Sequence, residues 1–129
     1  MADSKDFMRW VEYAENDYRA AMKIKDSIAS SAAFLFQASV EKYLKAVLVK
    51  RQKTVPKIHD IDALLKSVNP NLLETSREQQ AAKLLDITFN ISRYPDDLLD
   101  MGLEETNSVY QSATFLRAYA RAELQLEEL

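Results

Sequence analysis

Phe34-Leu35-Phe36-Gln37-Ala38-Ser39-Val40-Glu41-Lys42-Tyr43-Leu44-Lys45-Ala46-Val47-Leu48 is the stretch that decides the fold class. Phe36, Val40, Tyr43, Leu44, Val47 and Leu48 recur at three- and four-residue steps, the period of an amphipathic helix. Gln37, Glu41 and Lys45 form a polar row along one edge of that apolar face. They stand at i, i+4 and i+8 and so project from successive turns of one side. A helix that only filled a core would not need this row.

Working outward, composition agrees with helix. The chain of 129 residues holds one Gly and three Pro. Sheets, hairpins and phosphate-binding loops consume glycine for positive φ angles, so such scarcity argues for an all-α protein. The length fits a single domain, residues 1–129, with a core that needs no staples. Cysteine is absent, which excludes disulfides, thiolate metal sites and cysteine nucleophiles together. The polar start Met1-Ala2-Asp3-Ser4-Lys5-Asp6 and the lack of a long apolar run predict a cytoplasmic protein with no membrane association. Seventeen basic against 20 acidic residues give a net charge of −3, so there is no global electrostatic case for wrapping nucleic acid.

Five helices are predicted. The first starts after Asp3 or Ser4 and runs to about Ile28, with Phe7, Val11, Ala14, Tyr18, Ala21 and Met22 on one face and Trp10 beside them. The second spans roughly Ser31 to Gln52, and Pro56 forbids its continuation. Asp60 is the expected N-cap of a short third helix carrying Ile61, Leu64, Leu65 and Val68, closed by Asn69-Pro70. Thr75 and Glu78 have capping-box spacing for a fourth helix through Ala81, Leu84, Leu85, Thr88 and Phe89, which ends near Ser92 or Arg93 because Pro95 follows Tyr94. Residues 95–103 connect to a last helix with Val109, Ala113, Leu116, Ala120 and Leu124 on one face and Phe115, Tyr119, Ala122 and Leu126 alongside. An apolar arc that broad predicts burial on two sides, by the core and by another subunit. The architecture expected is an up-and-down antiparallel bundle of four long helices plus one short one.

Strict alternation of direction brings the end of the second helix, with Lys50, Arg51, Lys53, Lys57, His59 and Asp60, to the same end as Arg93-Tyr94-Pro95-Asp96. His59 has two readings, a local packing residue or a site residue. Arg93 likewise either interacts with the last carbonyls of its helix or contacts an anion, with phosphate the natural ligand group. Lys45 and Glu41 could be a local i,i+4 ion pair. Gln37 lies in helical phase near Leu44 and Leu48, where a buried amide needs a partner. Glu12 with Glu15, and Asp97 with Asp100, read as solvated surface.

Several chemistries are ruled down. Position 56 is Pro, not Glu, so no Glu-x-x-His pair precedes His59 and a ferritin-like di-metal site is not expected; zinc lacks His and Cys ligands. Ser30, Ser31 and Ser39 have no nucleophile-elbow context, and neither a P-loop nor a dinucleotide fingerprint is present. No metal or other cofactor is expected.

Four pieces together resemble the HEPN domain family: Trp10-Val11-Glu12-Tyr13-Ala14-Glu15-Asn16-Asp17-Tyr18; Ala33-Phe34 through Ala46 with Gln37, Glu41, Lys42, Leu44 and Lys45; Pro56 through Leu65 with His59-Asp60; and Arg93-Tyr94-Pro95-Asp96. The resemblance implies a helical bundle, commonly a homodimer, often encoded beside a small nucleotidyltransferase with which it forms a toxin and antitoxin pair. Many members cleave RNA with an Arg followed, after four to six residues, by a His. Here His59 is the only histidine and precedes Arg77, Arg93, Arg117 and Arg121, so that motif is absent. Leu35 and Ala38 stand where relatives often carry His and Gln, which implies a less polar groove. The expectation is a non-catalytic protein that binds a nucleotide or a nucleotidyltransferase partner through Gln37, Glu41, Lys45, His59, Arg93, Tyr94 and Asp96. The alternatives are a metal-independent RNase built on His59 and Arg93, and a purely structural association module.

Overall fold

The computed structural model describes residues 6–93 and 103–126. It contains α1 (Phe7–Ile24), α2 (Ala29–Lys50), α3 (Ile61–Val68), α4 (Arg77–Arg93) and α5 (Leu103–Glu123), and no strand among the described residues. α2 is the axis of the bundle, packed against all four other helices. For that reason it is amphipathic only in its first half: every residue in 43–49 is buried, Lys45 included. Phe36, Val40, Tyr43, Leu44, Val47 and Leu48 all lie in the core, where each large side chain contributes about 1.5–3 kcal/mol of transfer free energy. α1 approaches α2 closely through Ala14 and Ala21, and the Ser39 hydroxyl donates to the Ala14 carbonyl at 2.8 Å across that contact.

Helix ends depart from expectation for local reasons. α1 stops at Ile24, four residues short of Ile28, because the backbone N–H groups of Ser27 and Ile28 and the Ser27 hydroxyl all turn back onto the Ile24 carbonyl. Ile28 leaves the helical region, with φ −132° and ψ 74°, so α2 begins at Ala29. At its other end α2 closes at Lys50: Lys53 N–H bonds to Leu48 O and Gln52 N–H to Val49 O, the double closure that requires a left-handed residue. Gln52 takes it with φ 58°, and Gln125 does the same after α5 with φ 60°. In a chain almost without glycine these two positions fall to glutamine, at a cost of roughly 1 kcal/mol each. α3 has the Asp60 cap, whose Oδ1 accepts from Ala63 N–H at 3.1 Å. α4 is capped by Ser76, one residue after Thr75; its hydroxyl accepts from Gln79 N–H at 3.1 Å, while the Gln79 side chain reaches out to Asp62 at 2.9 Å instead of folding back as in a capping box.

The long helices alternate in direction, but the short one does not follow the expected course. Residues 51–60 run back along α2 until His59 lies level with Gln37 and Glu41. α3 then runs parallel to α2, returning its Val68 carbonyl to the Arg51 guanidinium at 2.9 Å. α4 descends from Arg77, stacked on Phe115 of α5, to Phe89, stacked on Phe34 near the start of α2. On α5 and just past its end, the stripe Val109, Ala113, Leu116, Ala120 and Leu124 is buried; Phe115, Tyr119 and Leu126 are half-buried and Ala122 is exposed.

Candidate functional site

The polar row on α2 holds the returning segment. Gln37 is 2% exposed, and its Nε2 donates to the His59 carbonyl at 2.5 Å, the partner its burial demands. Glu41 receives two groups: Lys45 Nζ donates to Oε2 at 2.9 Å, and His59 Nδ1 meets Oε1 at 2.9 Å. A carboxylate oxygen can only accept, so Nδ1 carries the proton and Nε2 is the nitrogen left for solvent. The imidazole itself is 73% exposed, while the Glu41 and Lys45 side chains beneath it are 13% and 8% exposed. His59 is thus an exposed ring on a nearly buried ionic support.

Beside it lies a cleft of about 170 Å³ lined by His59, Asp60, Asp86, Phe89 and Asn90. Asp86 of α4 accepts from the backbone N–H groups of Ile61 at 2.8 Å and Asp62 at 3.0 Å, so it caps α3 from a neighbouring helix while Asp60 caps it from within. Burial pushes the Asp86 carboxyl up to about 7; the two N–H groups oppose this and the adjacent Asp60 carboxyl adds to it. Arg93 is the last residue of α4, one turn beyond Phe89 and Asn90. Tyr94 and Asp96 lie outside the described residues.

The structure therefore brings Gln37, Glu41, Lys45 and His59 together, with the last turn of α4 adjoining. It separates them from Lys50 and Arg51, which were expected at the same end. Those two serve the opposite end as clamps, Lys50 on the Leu124 carbonyl and Arg51 on Val68 O and Glu123. Alternation of direction failed here because residues 51–60 are long enough to retrace about 20 Å of α2.

A second polar cluster crosses three helices, and the reading of Glu15 as solvated surface is corrected by it. Arg117 grips Glu15 with two hydrogen bonds, Nε to Oε1 at 2.8 Å and an Nη2 donor to Oε2 at 2.7 Å. The Tyr43 hydroxyl donates to the same carboxylate and accepts from Arg121 at 3.1 Å. Burial pushes Glu15 up, but the Arg117 and Tyr43 hydrogen bonds and the two guanidinium charges outweigh it and hold the carboxyl below its usual range. Burial, with the Glu15 charge, raises Tyr43, so its proton stays on. Hydrogen bonding to Glu15 raises Arg117 further against its own desolvation. Glu15, Tyr43 and Arg117 are each held in one protonation state near neutrality, which suits a lock between helices and not acid–base chemistry. A signal was available: Arg117 and Arg121 stand four apart beside the buried stripe of Leu116 and Ala120, and two such cations need an anion from another helix. Among the described residues no group of three or more His, Asp or Glu is placed to hold a metal ion, and no helix is long and apolar enough to cross a membrane.

Comparison with known proteins places this bundle. A family model for the HEPN domain matches residues 7–124, and the chain belongs to the HEPN domain family. The fold is similar to that of TT1696 from Thermus thermophilus, with a TM-score of 0.78 and 24% identity over 92% of this chain and 98% of that one. It is also similar to ST0689, an archaeal HEPN homologue, with a TM-score of 0.69 and 23% identity over 96% of this chain and 99% of that one. No curated protein matches the chain.

Proposed function

We propose that this HEPN-domain protein is a non-catalytic binding protein whose recognition surface is the end of the bundle around His59. Gln37, Glu41 and Lys45 support that surface, and Arg93, Tyr94 and Asp96 adjoin it in sequence. The observation that carries this reading is the exposed imidazole fixed through Nδ1 by Glu41, with Nε2 facing outward. A nucleotide suits such a site: an arginine binds phosphate oxygens bidentately, the His59 Nε2 offers a further polar contact, and the Asp60 and Asp86 carboxyls accept from ribose hydroxyls or an exocyclic amine. The family resemblance adds a small nucleotidyltransferase as protein partner, in a toxin–antitoxin type system, and a homodimer as the assembly. Titration of ATP into wild type, His59→Ala and Arg93→Ala checks the nucleotide version. Binding weakened about tenfold or more in the variants is expected, the worth of a charge-assisted hydrogen bond; equal or absent binding in all three sinks it.

A second reading is favoured by the Glu41–His59 pair, since a carboxylate behind an imidazole is the arrangement that orients a general base. In RNA cleavage Nε2 would take the 2′-hydroxyl proton as that oxygen attacks phosphorus and return a proton to the departing 5′-oxygen, with Arg93 supplying charge for the phosphorane. Metal-free incubation with RNA, using His59→Ala and Glu41→Gln as controls, decides it: cleavage unaffected by both substitutions, or no cleavage, removes this reading.

A further inference from the structure

A groove of about 290 Å³ runs between α4 and α5 on a surface distinct from the His59 end. Its walls repeat one pattern on two antiparallel helices. Arg77, Gln80, Ala81 and Leu84 come from α4 and Ser108, Gln111, Ser112 and Phe115 from α5, each set at i, i+3, i+4 and i+7. The Arg77 guanidinium lies over the Phe115 ring, 4.1 Å from its centroid, and has no ion pair or hydrogen bond with any described residue. The hydroxyls of Ser108 and Ser112 likewise have no hydrogen-bond partner among the described residues. No carboxylate lines the groove, although the chain carries 20 acidic residues against 17 basic ones. Arg77 is also the first residue of α4, where a cation opposes the helix dipole, so it is not there to stabilise its own helix.

We propose that the groove between α4 and α5 is a binding site for a phosphate monoester, with Arg77 and Ser112 gripping the phosphate. Stacking on Phe115 fixes the guanidinium plane and leaves its N–H edge for bidentate contact with phosphate oxygens, which lowers the entropic cost of binding. The antiparallel register sets Ser112 and Gln111 one turn from Phe115 and so on the phosphate side. Ser108 and Leu84 lie one turn further along, where Leu84 and Ala81 give an apolar floor for the organic part of the ester and Ser108 a hydroxyl contact. A lone cation with no other basic residue lining the groove fits one phosphate group and not a nucleic-acid strand, which requires a run of cations.

The test is an amide chemical-shift titration of the full chain with glycerol phosphate, with inorganic phosphate and with chloride, all at constant ionic strength. Saturable shifts confined to residues 77–84 and 108–115 are expected, tighter for the ester than for inorganic phosphate and absent for chloride. Arg77→Ala should weaken binding about tenfold or more, the worth of a charge-assisted hydrogen bond. Phe115→Leu keeps the charge, removes the stack, and should weaken it by about threefold. Arg93→Ala, which tests the His59 surface, should leave this binding unchanged. Equal affinity of Arg77→Ala and wild type, shifts that follow ionic strength alone, or shifts centred on His59 overturn the proposal. Equal binding of ester and inorganic phosphate removes the ester assignment.

Discussion

α2 carries a polar cluster on each of two sides, and the pair are built in opposite ways. On the α1 and α5 side, Glu15 is enclosed by Arg117, Tyr43 and Arg121, with the Glu15 and Arg117 side chains each 12% exposed. On the α3 side, Glu41 is bracketed by Lys45 below and an imidazole above that is 73% exposed. The first cluster joins three helices, and its solvent-facing member is Arg19, 67% exposed and 3.9 Å from Glu15 Oε2. The second fastens a ten-residue connection and ends in a group that water and ligands can reach. Polar groups near a core thus do two jobs here, and what the cluster fastens, helix to helix or connection to helix, tells them apart better than residue type does.

Breaking the enclosed cluster should have the largest effect. Arg117→Ala leaves the Glu15 carboxylate half-paired and nearly buried, and urea unfolding should show a loss of about 3 kcal/mol. A loss below ~0.5 kcal/mol would mean that the network is solvated, and the contrast between the clusters would fall. Gln37→Leu is the matching cut on the other side. It orphans the His59 carbonyl and should cost about 1–2 kcal/mol, with faster amide exchange confined to residues 51–60 and the start of α3.

The two sides should also differ in the sign of their pH dependence. Glu15 is held below its ordinary value, so its contribution is complete above about 4.5 and disappears as pH falls through the lowered folded value. Asp86 is raised to about 7, so the folded state holds a proton that the unfolded state releases near 4; its contribution is complete below about 4 and is lost as pH rises toward 7. Asp86→Asn should remove on the order of 1 kcal/mol of that decline, allowing for screening at a partly exposed carboxyl. An unchanged pH profile in the variant would place the titration elsewhere. The smallest effect belongs to His59→Ala, below about 0.5 kcal/mol, because the Glu41 contact is solvent-facing. That makes the substitution a clean probe of binding, and a large destabilisation would turn His59 into a structural residue.

Much of this was legible from spacing. The apolar stripe of α2, the Asp60 cap and the inward set Ile61, Leu64, Leu65 and Val68 rest on contacts within a few residues, and all hold. Helical phase places the Gln37 amide near Leu44 and Leu48, which by itself calls for a partner. That the partner is a backbone carbonyl 22 residues away was not readable. Local pattern misreads Glu15, because its partners stand 28 and 102 residues on and a carboxylate flanking an apolar stripe looks the same whether water or arginine covers it. The Ser76 cap displaced Thr75 by one position, since capping boxes with adjacent hydroxyls differ only in how the chain enters the helix.

The sequence alone determined the helices, their ends to within about four residues, the core, and the membership of one row on α2, because hydrophobic period and hydrogen-bond capping act over three or four residues. Only the tertiary structure decided which way α3 runs, which end receives His59, and which charges are enclosed. Those outcomes depend on how far residues 51–60 retrace α2 and on which helices meet across it, and neither quantity leaves a mark in local spacing.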